Sequence, residues 1–434
     1  MPAGFRAGGL AVGIKASGRP DLAVVVTTEG PAAAAAVFTP NTFAAAPVRL
    51  SRAHLAATSG NARGGFGWAE AIVSTSGSAN AATGPAGEAD QLEVARLLAE
   101  ATGVPVKRTL HLSTGVIGTR LPLDRVASGL TAILPTLTDD DAGLEAAAVA
   151  LRTTDSATKT ATTTVELPGT DGQPVTVTIS GIAKGVGMIH PRMATMLAVI
   201  LTDAAAAPET LWELLRPAAA RTWNQLSVDG DTSTNDTVFV LASGASSAAP
   251  AEPGTPSASR LGAAIEAVAR DLARQQAADG EGATTLISAT VTGARDDAEA
   301  RAVARAIVSS SLVKAAAHGR DPNWGRIAGA AGNARLADAA VLAAAGLAAA
   351  EAAARAGTPA TLDPGTLRIW IAGHLVFDGS VGGPVAFDRS AARAAMDAPE
   401  VVFALDLGLG NGSGEAFGCD LTETYVIENS EYTT

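Results

Sequence analysis

The sequence predicts a mixed α/β fold. Two observations carry this: short β-branched runs recur along the whole chain, and several alternate with stretches whose apolar residues fall on one helical face. Composition agrees, since 434 residues with 47% hydrophobic and 17% charged side chains can bury a large core. Aromatics make up only 4%, so the core should be aliphatic, and abundant alanine favours helices because its side chain gives up no entropy there.

Leu22–Thr28, Val175–Ser180, Leu197–Thr202, Thr237–Ala242, Thr284–Val291, Leu367–Ala372 and Val401–Leu407 read as strands. Glu88–Ala101 puts Val94, Leu97, Leu98 and Ala101 on one face, with Gly103 placed to stop the helix. Pro208–Arg221, Ala258–Ala278, Asp297–Ser309 and Ala337–Ala356 follow the same pattern. Between a strand and a helix, Ser243–Ser259 reads as an exposed loop. No repeat of fixed period and no long Pro/Ser/Gly tract divides the chain.

A formal charge of −12 with scattered basic residues argues against a nucleic-acid partner and for small molecules. The single cysteine, Cys419, excludes an intrachain disulfide or a thiolate metal cluster. The opening MPAGFRAGGLAVGIKASGRP has no sustained apolar run and does not read as a secretory signal. Ala339–Ala350, the longest uncharged apolar stretch, falls short of the ~20 residues a bilayer needs. A cytoplasmic protein without membrane contact is the expectation.

Several motifs fail on inspection. Gly408, Gly410, Gly412 and Gly414 follow a strand, but Glu415–Val426 reads as strand, so no helix N-terminus awaits a pyrophosphate. Asp229–Thr237 alternates acids and hydroxyls, yet Thr234 and Val240 stand where a calcium loop needs glycine and glutamate; a hydrogen-bonded polar turn fits better. His54, His111, His190, His318 and His374 lack metal-binding spacing, and no GxSxG elbow occurs. No metal or dissociable cofactor is implied.

The informative stretch is Gly181–Asp203, GIAKGVGMIHPRMATMLAVILTD, where a glycine-rich turn leads into an apolar strand just after Ala194 and Thr195. On pattern alone it is a loop entering a strand. Lys184–Ile189, His190-Pro191 and Met193–Leu197, however, resemble the self-cleavage signature of the ornithine acetyltransferase (glutamate N-acetyltransferase) family. Further stretches resemble it in the same order along nearly the whole chain: Gly4-Phe5-Arg6, Gly13–Gly18, Ala79-Asn80-Ala81 with Thr83-Gly84, Ser113–Gly118 and Thr153-Thr154-Asp155, then Ser227–Thr232, Asp279–Thr284, Asp321–Arg326, and Gly418–Thr422 through Asn429 to Thr434.

The resemblance implies a layered sheet-and-helix sandwich of the ornithine acetyltransferase type. It also implies self-cleavage between Ala194 and Thr195, giving interlocked fragments Met1–Ala194 and Thr195–Thr434 that pair into a heterotetramer of two alpha and two beta fragments. Cleavage would give Thr195 an α-amine of pKa about 7.7–8.0, near enough to neutrality to act as base for its own hydroxyl. Gly185 and Gly187 could strain the scissile bond by taking backbone conformations closed to other residues. Thr114 and Gly115 are implied as the oxyanion hole, and Thr154, Lys184, Thr195, Glu281, Asn429 and Thr434 as substrate contacts. Lys184 offers positive charge to a carboxylate and Glu281 negative charge to an amine.

The implied reaction is a ping-pong transfer of acetyl from N2-acetylornithine to glutamate in arginine biosynthesis, with acetyl-CoA as a second candidate donor. Alternatives are an N-terminal-nucleophile hydrolase or peptidase, an acyltransferase of specialised metabolism, and an uncleaved inactive relative. Arg192 stands where the family usually has asparagine, Thr75 likewise, Ala82 replaces a usual cysteine, and Ser156 a usual threonine. Arg192 puts a permanent charge close to the scissile bond and bears on cleavage and acceptor choice.

Overall fold

The computed structural model describes residues 1–62, 64–190 and 196–431. The elements before residue 190 are β1 (Phe5–Leu10), β2 (Leu22–Thr27), β3 (Ala32–Phe38), α1 (Ala46–Ser59), β4 (Phe66–Ala69), β5 (Ala71–Ser78), α2 (Gly84–Thr102), β6 (Thr109–Val116), α3 (Leu123–Ile133), α4 (Asp141–Leu151), β7 (Lys159–Pro168) and β8 (Pro174–Lys184). After residue 195 come β9 (Leu197–Thr202), α5 (Pro208–Arg221), β10 (Leu226–Ser227), β11 (Thr237–Ala242), α6 (Pro256–Ala278), β12 (Leu286–Ala294), α7 (Asp297–Ser309), α8 (Ser311–His318), α9 (Trp324–Gly332), α10 (Ala339–Ala344) and α11 (Ala349–Arg355). The chain closes with β13 (Arg368–Ile371), β14 (His374–Asp378), β15 (Gly383–Pro384), α12 (Arg389–Ala395), β16 (Glu400–Asp406), β17 (Gly412–Cys419) and α13 (Glu423–Glu431).

The strands form sheets of order β1-β2-β5-β6, β4-β3-β11-β9-β8-β7 and β10-β17-β12-β16-β13-β14-β15. The first two face each other: Phe5, Val25, Ile72 and Leu110 share one core with Ala34, Ile182, Val199 and Phe239, closed by Leu144 and Leu151 of α4. Outside them, α2 and α3 cover the four-stranded sheet, while α5 and α6 cover the six-stranded one. Period-two alternation ties on the third sheet, because β17 turns Phe417 and Cys419 toward α6 and Ala416 toward α7.

In the six-stranded sheet, β9 and β11 lie between β8 and β3, so strands from before and after residue 195 interleave. β8 pairs antiparallel with β9, and Lys184 stands opposite Leu197. Among the described residues no helix is long and apolar enough to cross a membrane.

Two expectations need correction. Ala337–Ala356 is two short helices, α10 and α11, because Gly346 between them sits at φ +110°, outside helical space. The strand expected over Glu415–Val426 ends at Cys419, and α13 begins at Glu423. The glycine run does join two strands, but β16 and β17 flank β12 instead of pairing with each other. The loop Ser243–Ser259 is mostly exposed, with α6 starting early at Pro256 under a cap from Thr255 to the Ala258 N–H.

Candidate active site

Thr114 and Gly115 lie at the end of β6, where the ladder to β5 shifts register. Such irregularities re-aim side chains and free backbone groups from the ladder. Facing them, β8 ends at Lys184, whose Nζ donates to Thr114 Oγ1 at 2.9 Å and so bridges the two facing sheets. An ammonium can only donate, so the Thr114 hydroxyl accepts this bond and keeps its own hydrogen for another acceptor.

Lys184 is 3% exposed, and burial pulls its pKa below the usual lysine range, while Asp155 opposes the shift. Asp155 is itself buried, which alone would raise its pKa. The charges of Lys184 and Lys159 and hydrogen bonds from Lys159 Nζ and the Gly185 N–H, each 2.8 Å, outweigh that and hold the carboxyl at about 2. The Asp155 carboxylate thus offsets part of the burial penalty on the Lys184 ammonium beside Thr114.

Glu281 enters from the loop after α6. It accepts from the Thr154 hydroxyl at 2.8 Å and from Asn429 Nδ2 at 3.0 Å. Its own N–H donates to the Val186 carbonyl, which fixes the loop against the turn after β8. Each carboxylate oxygen retains a lone pair for a ligand. A Cβ on Gly187 would stand 2.1 Å from Glu281 Oε2, so any larger residue there would have to displace that carboxylate. Only Gly185 takes a positive φ, +132°; Gly187 does not, which corrects the expectation that both supply unusual backbone conformations.

Thr114, Gly115, Thr154, Lys184, Glu281 and Asn429 therefore line one cavity of about 310 Å³. Thr195, Ala194, Arg192 and Thr434 lie outside the described residues. Of the other unusual positions, the Thr75 and Ser113 hydroxyls bond at 2.9 Å, the Ser156 N–H donates to Asp279 at 3.1 Å, and Ala82 sits at φ +57°.

The polar turn Asp229–Thr237 does more than its pattern suggests. Asp229 accepts the N–H groups of Met188 and Ile189, and Asp236 Oδ1 accepts the Met196 N–H at 3.0 Å. Between them, Asn235 Nδ2 donates to the Ala79 and Ser113 carbonyls at 2.7 and 2.8 Å, fastening this turn beside Thr114. Asp236 is fully buried, which raises its pKa well above the ordinary carboxylate range despite the opposing hydrogen bonds of the Met196 N–H and the Ser233 side chain. Among the described residues no group of His, Cys, Asp or Glu is arranged to hold a metal ion.

The model of the ArgJ family matches residues 6–434. The arginine biosynthesis bifunctional protein ArgJ of Thermosynechococcus vestitus is 46% identical over 450 residues, covering 99% of this chain and 96% of that protein. Its counterpart of the same name from a Synechococcus species is 45% identical over 442 residues, covering 100% and 96%. Among solved structures, the arginine biosynthesis bifunctional protein argJ of Bacillus halodurans is 37% identical, covering 54% of this chain and 98% of that one at a TM-score of 0.46.

Proposed function

The chain belongs to the ArgJ family, and we propose that it moves an acetyl group from N2-acetylornithine to glutamate through an ester on Thr195, after cutting itself between Ala194 and Thr195. Its relatives carry the name arginine biosynthesis bifunctional protein, and the chain is an acyltransferase of that biosynthesis. The observation that supports the residue roles is convergence: groups from β6, β8, the loops at Thr154 and Glu281, and α13 meet in one cavity.

In this reading the Thr195 hydroxyl attacks the acetyl carbonyl of N2-acetylornithine while its own α-amine takes the proton. The tetrahedral oxyanion is held by the Gly115 N–H and the Thr114 hydroxyl, with Lys184 behind Thr114 strengthening that donor. Collapse breaks the C–N bond, and the departing ornithine amine takes the proton. Glutamate then attacks the ester and leaves as N-acetylglutamate, restoring the Thr195 hydroxyl. Lys184 and Glu281 carry the charges that read the amino acid's carboxylate and amine, with Thr154, Asn429 and Thr434 completing the contacts.

The fragments Met1–Ala194 and Thr195–Thr434 stay together in this proposal through the interleaved six-stranded sheet, and two such pairs form the heterotetramer. The setting is cytoplasmic, and acetyl-CoA is a second donor to be assayed. Intact mass spectrometry tests the whole scheme. It should show one fragment ending at Ala194 and one beginning at Thr195, the second gaining an acetyl group from N2-acetylornithine and losing it to glutamate. An uncut chain that gains nothing overturns the proposal.

A further inference from the structure

A second cavity, of about 360 Å³, adjoins the first and shares Gly115, Val116, Thr153 and Thr154 with it. Its far wall is the loop between β1 and β2, which contributes Lys15, Ser17 and Arg19. That loop is built rather than slack. Asp21 accepts the N–H groups of Val12 and Lys15 at 2.7 and 2.8 Å, and Arg19 Nη2 donates to the Thr153 carbonyl at 2.9 Å. Gly77, whose added Cβ would stand 3.0 Å from Ile14, lets the loop close down on the end of β5.

Lys15 Nζ donates to the Pro20 carbonyl at 2.6 Å, which leaves it further hydrogens to donate. Burial and the neighbouring charge of Arg19 lower its pKa to about 8, so it stays mostly protonated at neutral pH. Among the described residues, two cationic side chains and no carboxylate line this lobe.

A ping-pong exchange sets a chemical demand that the first cavity meets only in part. The leaving amino acid carries a cationic side chain and the acceptor an anionic one, yet both must react at one nucleophile. Glu281 suits the cation and repels a carboxylate brought beside it. Resting on the proposed acetyl transfer, we propose that the Lys15–Arg19 cavity is an anion subsite of the acyl-transfer centre. It takes the side-chain carboxylate of an acidic acceptor or the phosphate of an acyl-CoA donor.

The test uses the wild-type enzyme, Lys15→Gln, Lys15→Arg and the double variant Lys15→Gln/Arg19→Gln, each matched for thermal melting. Transfer is measured to glutamate from N2-acetylornithine, to ornithine from N2-acetylglutamate, and to glutamate from acetyl-CoA. Losing a charge-assisted contact should raise the KM of the anionic partner roughly tenfold or more in the double variant, with Lys15→Arg retaining most of the affinity. The KM for ornithine should change less than about twofold. A rise confined to glutamate identifies the carboxylate, and one confined to acetyl-CoA the phosphate. An equal rise for ornithine, or none for any substrate, overturns the subsite. Calorimetric titration with glutamate and with coenzyme A reads binding without turnover. If the wild type transfers no acetyl the proposed reaction fails, whereas the subsite fails if the wild type binds neither anion or the double variant binds as the wild type does.

Discussion

Replacing Thr114 by valine tests the oxyanion assignment with little change of shape. The variant deletes the one hydroxyl at the end of β6 that Lys184 Nζ contacts at 2.9 Å. If that hydroxyl stabilises the tetrahedral oxyanion, its loss costs about 2.7–4 kcal/mol of transition-state binding, a fall of roughly 10²–10³ in kcat. The ground state loses less. Lys184 is left short of one acceptor, at about 1–3 kcal/mol by general experience, but the field of Asp155 persists. The folded protein should therefore survive the change that disables it. The assay is single-turnover acetylation of Thr195 followed by quenched mass spectrometry, on chains whose mass shows the cut. Thr114→Ser should restore most of the rate, and KM for N2-acetylornithine should scarcely move, because the interaction matters only in the transition state. A valine variant within about threefold of the wild-type kcat, or one altered in KM alone, would refute the reasoning.

Gly187→Ala should displace Glu281, since its Cβ would lie 2.1 Å from Oε2. Weaker ornithine binding in steady-state kinetics and about 1–3 kcal/mol of lost stability in urea unfolding are expected, and an unchanged KM would count against it. Asp155 titrates at about 2 when folded, against about 3.9 unfolded, so its charge adds stability that is complete above about pH 4 and lost as pH falls toward 2. That contribution is roughly 2–3 kcal/mol. Urea unfolding of Asp155→Asn should lack this acid limb, and a limb identical to the wild type's contradicts the pairing with Lys184 and Lys159. For Asp236 the sign reverses: burial raises its folded pKa, so the wild type loses stability as pH rises above about 4. Asp236→Asn keeps an acceptor for the Met196 N–H and should gain on the wild type toward neutral pH. Parallel pH curves would sink that expectation.

How much of this the sequence disclosed depended on whether the determining contacts were local. Asp297–Ser309 becomes α7 and Pro208–Arg221 becomes α5 because their apolar periodicity and end residues lie within the segment. β3 escapes such reading. Its Ala32–Ala36 run favours no strand, yet it is buried on both faces, with Ala33 and Ala35 toward the helices and Ala32, Ala34 and Ala36 toward the facing sheet. Pairing with β11 and β4 decides its conformation, and those partners are distant in sequence.

The site divides along the same line. Family resemblance points to Thr114, Lys184 and Glu281, but nothing in their segments says that Lys184 bonds Thr114 or that Thr154 and Asn429 hold Glu281. These contacts depend on how two sheets face each other. Asp236 was the least legible of all, lying within a turn whose pattern suggested only internal hydrogen bonding. Its partner is Met196, the first described residue after 195, while Asp229 from the same turn holds Met188 and Ile189 on the other side. The proposed self-cleavage requires that the chain be fixed on both sides of the Ala194–Thr195 bond before that bond can react. The two acids of one short turn grip the chain on both sides of residues 190–195, a placement that fits positioning of the chain in that proposal without contact to substrate.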